Sequence, residues 1–147
     1  MTDEKDLKIL EQLVADGRKS VVVISNELGI PRATVQERLG RMVRSGVIKK
    51  FAAIPDYSKM GKGVTAYILV SFSATGNVSQ RSLAEAVTKI PGVFEVSLIA
   101  GEWDILLKVR ASSVEEIGKL VIDKLRMMKG IEKTQTCVSF QTIKESF

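Results

Sequence analysis

The sequence predicts an α+β chain in two parts, a helical module followed by a sheet domain that carries two more helices. Three observations predict it. A short apolar helix stops on Leu28-Gly29, and a basic helix starts at once after Ile30-Pro31. Beyond Gly63 the apolar residues alternate between strand and helix periods, and both helices there close in similar ways, on Ile90-Pro91-Gly92-Val93 and on Lys129-Gly130-Ile131. The positive charge is unevenly shared: residues 1–63 hold 12 basic and 8 acidic side chains out of 22 and 17 in the whole chain.

The first helix is expected from Thr2 to Ala15, with Leu7, Ile9, Leu10, Leu13 and Val14 inward and acidic residues favouring its amino end. Asp16-Gly17-Arg18 ends it. The second helix offers Val22, Val23, Ile24 and Leu28 to the core, and the third offers Val35, Leu39, Met42 and Val43. Gly29 suits the left-handed backbone that stops a helix and Pro31 the backbone that starts one, so the pair of helices reads as a helix-turn-helix of the winged, three-helix kind. Residues 1–48 form this module. Val47-Ile48 and Phe51-Ala52-Ala53-Ile54 then read as a strand leaving it, inside a connecting stretch over 49–63 whose Pro55 and glycines place the domain boundary near Lys62.

Residues 64–147 read as βαββαβ. The strands are Val64 to Ser73, Val93 to Ala100, Trp103 to Arg110 and Ile131 to Thr142, and the helices Ser79 to Lys89 and Ser113 to Met128. That order describes a split βαβ, ferredoxin-like domain. Helices on one side leave the other side of the sheet open, and Val64, Ile68, Val70, Phe72, Leu106 and Phe140 are expected to make that side too apolar to stay wet. Homodimerisation through the sheets follows as the expected remedy.

Composition narrows the chemistry. One cysteine and no histidine leave no set of zinc ligands and no histidine-based triad, so neither a metal site nor a catalytic one is expected. Cys137, beside Val138 and Phe140, reads as a buried structural thiol. No apolar run approaches the roughly 20 residues that cross a bilayer, so the expectation is a cytoplasmic protein without membrane contact. A net charge of +5 suits a polyanionic partner.

On the third helix Ala33, Thr34, Glu37, Gly40, Arg41 and Arg44 are expected to face away from the core, with Gln36 and Arg38 on the flanks. Small residues, hydrogen-bonding groups and arginines on one helix face are what reading double-stranded DNA in the major groove requires. Arg32, Thr34, Gln36 and Glu37 are the candidates for base edges; Arg38, Arg41, Arg44, Lys49 and Lys50 are those for phosphates. The alternative for this surface is a solvated basic helix face.

Several segments in order resemble the Lrp/AsnC, or leucine-responsive regulator, family of prokaryotic transcription factors. They are Asp6-Leu7-Lys8-Ile9-Leu10, Asp16-Gly17-Arg18, Leu28-Gly29-Ile30, Thr34-Val35, Arg38-Leu39, Ser45-Gly46-Val47-Ile48-Lys49, Ile90-Pro91-Gly92-Val93, Gly101-Glu102-Trp103-Asp104 and Thr134-Gln135-Thr136. The resemblance implies a sequence-specific DNA-binding regulator that assembles as a homodimer and on into tetramers or octamers. It also implies a small effector, usually an amino acid, held between dimers at the loop Gly101, Glu102, Trp103 and Asp104 and at Thr134 and Thr136, with no other cofactor. The family's first Asp in this loop is Glu102 here, its Tyr or Phe is Trp103, and Pro31 replaces a common capping Ser, so the third helix is expected to start without a side-chain cap. The Gly101–Asp104 segment also reads as a plain hairpin turn. Two other functions stand beside the regulator: an architectural protein that coats DNA without an effector, and an enzyme on the second domain, for which no nucleophile and base pair is present.

Overall fold

The computed structural model describes residues 2–74 and 77–145. It divides into two compact units, Met1–Ile54 and Pro55–Phe147.

The first unit holds α1 (Glu4–Ala15), α2 (Val21–Leu28) and α3 (Arg32–Arg44). Asp3 and Asp6 start α1 with a reciprocal cap: the Asp3 carboxylate accepts the Asp6 N–H at 3.0 Å, and the Asp6 carboxylate accepts the Asp3 N–H at 3.1 Å. Ser20 caps α2. That helix stops on Gly29 at φ 63°, a conformation only glycine takes freely, and the reversed chain is pinned by Ile30 N–H to the Ser25 carbonyl at 3.1 Å. Pro31 leads into α3 without a side-chain cap, as expected. Ile9, Ile24, Ile30, Val35, Met42 and Ile48 close the core, each large aliphatic side chain contributing about 2 kcal/mol when fully buried.

Several apolar residues expected inside lie outside: Leu7, Val14, Val22, Val23 and Val43 are all exposed. Each helix has room for one inward stripe. Val21, Ile24 and Leu28 fill that of α2, Val35, Leu39 and Met42 that of α3, and Asp6, Ile9, Leu10 and Leu13 that of α1. No strand forms over Val47–Ile54. A strand needs a hydrogen-bonding neighbour, and among the described residues none pairs with this segment.

Pro55–Gly63 belongs to the second unit, which places the division ahead of Pro55 instead of near Lys62. Tyr57 holds it there, its ring edge-on to Phe94 at 4.9 Å and lying under the Arg110 guanidinium at 4.0 Å. The unit contains β1 (Val64–Phe72), α4 (Gln80–Val87), β2 (Val93–Leu98), β3 (Ile105–Ala111), α5 (Val114–Lys119) and β4 (Ile131–Val138). The strands run antiparallel in the order β2-β3-β1-β4, the ferredoxin-like arrangement. All the elements are shorter than expected at one end or both. The long helix expected to Met128 keeps α geometry only to Lys119, then passes through a wide π turn, Leu120–Lys124, and a 3-10 turn, Leu125–Met127. In a straight α-helix Leu125 would drift about 80° from Ile117 around the axis. The wider turn brings Leu125 back over the sheet, where Ile117, Leu120, Val121 and Leu125 are all buried.

Strand parity corrects the expected open face. Ile68 and Val70 lie beneath the helices, fully buried with Ala66 and with Ile105, Leu107 and Val109 of β3, and Val64 and Phe72 pack at the rim of the same core. The open side carries Thr65, Tyr67 and Leu69, paired with Arg110, Lys108 and Leu106 of β3, and Ser71 beyond the end of that ladder. Leu106 alone of the six expected residues stands on that side within the sheet; Phe140 lies beyond β4, fully exposed. Cys137 pairs with Tyr67 on edge strand β4, so its thiol is exposed, not buried.

Candidate nucleic-acid interface and ligand recess

Arg32, Gln36, Glu37, Arg41 and Arg44 are exposed on α3, with Thr34 half-buried among them, and Lys49 and Lys50 are exposed just beyond. Gly40 keeps the surface low enough for the Arg44 side chain to fold across it; a Cβ there would stand 3.1 Å from an Arg44 terminal nitrogen.

Arg38 differs from the free phosphate ligand the sequence suggested. Its Nη1 donates to both carboxylate oxygens of Asp3, at 2.7 and 2.6 Å, and to Oδ1 of Asp6 at 2.9 Å, leaving its side chain 18 % exposed. Arg41 Nη2 donates to both oxygens of the same Asp6, at 2.9 and 2.7 Å, yet half of its side chain remains in solvent. Asp3 and Asp6 escaped sequence reading as partners of α3. Their spacing of three at a helix start indicates a reciprocal cap, but not which helix lies opposite.

The Arg38 hydrogen bond, aided by the Asp6 backbone, lowers the Asp3 carboxyl to about 2. Burial alone would raise Asp6, but the Asp3 backbone N–H, Arg38 and Arg41 outweigh it and hold Asp6 below its usual range. Carboxyls lowered in the folded state stabilise it fully above the unfolded value, about 3.9, and lose that contribution as pH falls through the folded value. The helical unit is therefore expected to lose stability from about pH 4 downward toward pH 2. Helical circular dichroism melts across that range check it: Asp3→Asn should flatten the acid limb, and an unchanged limb would remove the ion pair from the account.

In the second unit Trp103, Arg126, Ile131, Glu132, Lys133, Thr134 and Gln135 line an open recess of about 580 Å³. A bulge in β4 at Glu132, opposite Ser71 and Phe72 of β1, shapes its surroundings. The β1–β3 ladder ends at Val70 and Ile105, so the Phe72 N–H has no strand partner and Asp104 Oδ2 accepts it at 2.7 Å, while beside the bulge Ser71 Oγ accepts the Lys133 N–H at 3.0 Å. Gln80 Nε2 donates to Asp104 Oδ1 and to its carbonyl, both at 3.3 Å. Asp104 is thus committed to holding its loop on β1. Arg126 Nε donates to Thr134 Oγ1 at 3.2 Å across the Lys129-Gly130 turn.

Of the residues expected to hold an effector, the structure brings Trp103 and Thr134 to this recess. Gly101 and Glu102 are exposed in the loop, Asp104 supports it from behind, and Thr136 stands two residues along β4 outside the lining. Arg126, Glu132 and Gln80 were missed. Arg126 was legible in principle, since a helix ending at Lys129-Gly130 and a strand starting at Ile131 fold position 126 back toward 134.

A basic helix-turn-helix in the same chain as a sheet domain with an open recess defines a DNA-binding transcriptional regulator with a ligand-binding domain. Comparison with known proteins makes the class specific. The Lrp/AsnC ligand-binding domain model matches residues 65–147, and a winged helix-turn-helix DNA-binding model matches residues 2–49. The chain belongs to the Lrp/AsnC family of transcriptional regulators. It is 50% identical over 143 residues, 97% of this chain and 95% of the relative, to an uncharacterised HTH-type transcriptional regulator of Pyrococcus horikoshii. It is 37% identical over 144 residues, 98% of this chain and 92% of the relative, to the proline dehydrogenase transcriptional activator of Rhizobium radiobacter. A crystal structure of a Neisseria meningitidis transcriptional regulator in complex with L-methionine superposes with a TM-score of 0.92 at 26% identity, covering 99% of this chain and 94% of that one. Among the described residues no helix is long and apolar enough to cross a membrane.

Proposed function

We propose that this chain is a cytoplasmic, sequence-specific regulator of transcription whose DNA binding is modulated by a free amino acid held in the Trp103–Arg126–Thr134 recess. The observation that carries the effector reading is the Arg126–Thr134 hydrogen bond in the recess wall. A guanidinium beside a hydroxyl suits an α-carboxylate; Glu132 offers an acceptor for the ammonium, and Trp103 with Ile131 an apolar wall for the side chain. The Neisseria relative bound to L-methionine supports the same class of ligand.

DNA is read by α3, with Arg32, Thr34, Gln36 and Glu37 toward base edges and Arg41, Arg44, Lys49 and Lys50 toward phosphates. The functional unit is a homodimer, extended to larger assemblies, formed through the open sheet face. There Tyr67, Leu69 and Leu106 form the apolar centre, and Glu145 pairs with both Lys108 and Arg110, reducing the cost of burying those cations. Two-fold symmetry sets two α3 helices about one DNA turn apart on a near-palindromic site.

The test is fluorescence anisotropy on DNA from upstream of the chain's own gene and on a shuffled control, with and without each of the twenty amino acids. Preference for its own DNA, shifted by one amino acid, supports the proposal. Equal affinity for both DNAs, unmoved by any amino acid, would leave an architectural protein instead. Arg126→Ala is expected to weaken the amino-acid response by about tenfold or more, the usual loss of a charged hydrogen bond, while effector-free DNA binding stays within twofold, about 0.4 kcal/mol. An unchanged response in Arg126→Ala would move the effector site elsewhere.

A further inference from the structure

A carboxylate beneath a phosphate-binding face needs a reason to be there, because it repels the phosphate. Asp6 is such a group. Its side chain is 1 % exposed, and its two oxygens serve the Asp3 N–H, Arg38 Nη1 and Arg41 Nη2. Each arginine reaches Asp6 through one terminal nitrogen only. The Arg41 guanidinium is thereby tethered through Nη2 in the last turn of α3, with half of its side chain in solvent. An unpaired arginine has many rotamers to lose on meeting a phosphate, whereas one already held by a buried carboxylate has lost most of them beforehand.

We infer that Asp6 is a positioning residue for DNA binding: from beneath α3 it pre-orients Arg41, with Arg38 as the brace between Asp6 and Asp3, so that the outer edge of the Arg41 guanidinium meets a phosphate. The inference rests on the reading of α3 as the DNA-contacting helix. It extends the DNA-binding machinery onto α1, a helix with no direct contact assigned to it.

The sign of one substitution separates positioning from bulk charge. Asp6→Asn removes a negative charge near DNA, which by itself strengthens binding. Positioning requires the opposite, about fivefold weaker binding to both the upstream DNA and its shuffled control, since phosphate contacts carry no sequence information. Glu4→Gln removes an equal charge from the exposed side of the same helix, where Glu4 pairs only with Lys8, and is expected to bind as tightly as the unaltered chain or more so. A second variant tests the inference where Asp6→Asn fails to fold by circular dichroism. Arg41→Lys keeps the charge but lacks the planar fork, and it is expected to bind DNA within twofold of Arg41→Ala, a difference of about 0.4 kcal/mol.

Asp6→Asn binding as well as the unaltered chain or better, or Arg41→Lys restoring full affinity, overturns the inference. So does Arg41→Ala with full affinity and an unchanged salt slope, where the loss of one phosphate contact should lower the slope by about one. Failure of the unaltered chain to bind either DNA is a separate result, since it defeats the reading of α3 itself.

Discussion

Replacing Met42 with alanine is expected to abolish DNA binding while the sheet unit stays folded. Met42 is 2 % exposed, in a core shared with Ile9, Ile24, Ile30, Val35 and Ile48. Truncating a buried methionine to alanine costs about 2–5 kcal/mol. A unit the size of Met1–Ile54 has on the order of 3–8 kcal/mol of stability in all. The loss is thus comparable to the whole, and α3 no longer has a surface to rest on. It also disassembles the cluster that ties Arg38 and Arg41 to Asp6, so the arginines lose their placement along with the helix. Thermal melts followed by circular dichroism should show an early helical transition moving to lower temperature and a later transition unmoved. Anisotropy should show no binding to the upstream DNA at physiological temperature. Unshifted melting with full DNA affinity would mean that the helical core tolerates the cavity.

The second large effect lies at Gly130, where Gly130→Val is expected to destabilise the sheet unit by about 2–5 kcal/mol, the sum of two separate costs. Gly130 has φ 94°, a left-handed backbone that costs an L side chain about 1–2 kcal/mol. A Cβ there would also stand 3.1 Å from Phe72 Cε2 and 3.4 Å from Leu83 Cδ2, inside the buried rim of the core, where overpacking costs about 1–3 kcal/mol. Gly29→Ala supplies the control. Its φ is 63°, but nothing lies within 4 Å of the added Cβ, so only the backbone cost applies. Urea unfolding checks both: the sheet transition of Gly130→Val should move further than the helical transition of Gly29→Ala. Because the same turn carries Arg126 to Thr134 and the Gly130 carbonyl accepts the Ser73 N–H at 2.9 Å, the variant is also expected to weaken the amino-acid response. A sheet midpoint within error of the unaltered chain would show that Phe72 moves aside freely.

The element order of both units was legible in the sequence because each rests on local signals. Gly29 and Pro31 mark the turn between α2 and α3, Ser79 and Ser113 cap α4 and α5, and the glycines at 92 and 130 follow the two helical segments of the sheet domain. Inward and outward assignments fared worse where two readings of one pattern compete. In β1 alternation separates Val64, Ala66, Ile68, Val70 and Phe72 from Thr65, Tyr67, Leu69 and Ser71, but it does not say which set the helices cover, and the side taken as open proved to be the buried one. In α2 three successive valines left the inward stripe undefined until Ile9 and Val35 were packed against it. The strand expected over Val47–Ile54 failed for another reason: β-propensity describes a fit to a neighbouring strand, and among the described residues none pairs with that segment.

The sequence by itself determined the two-part architecture, the helix-turn-helix, the basic face of α3 and the loop on which Trp103 and Asp104 lie. Those depend on backbone preference, charge and spacing along a few consecutive residues. Tertiary structure alone decided what the charged side chains do. It joined Arg38 and Arg41 to Asp3 and Asp6, more than thirty residues away, set the Asp104 carboxylate on the Phe72 N–H beyond the end of the β1–β3 ladder, and placed Arg126 beside Thr134. An ion pair or a recess forms between elements that packing brings together, and the energy that selects its partners is the desolvation of buried charge. That energy has no counterpart along an extended chain.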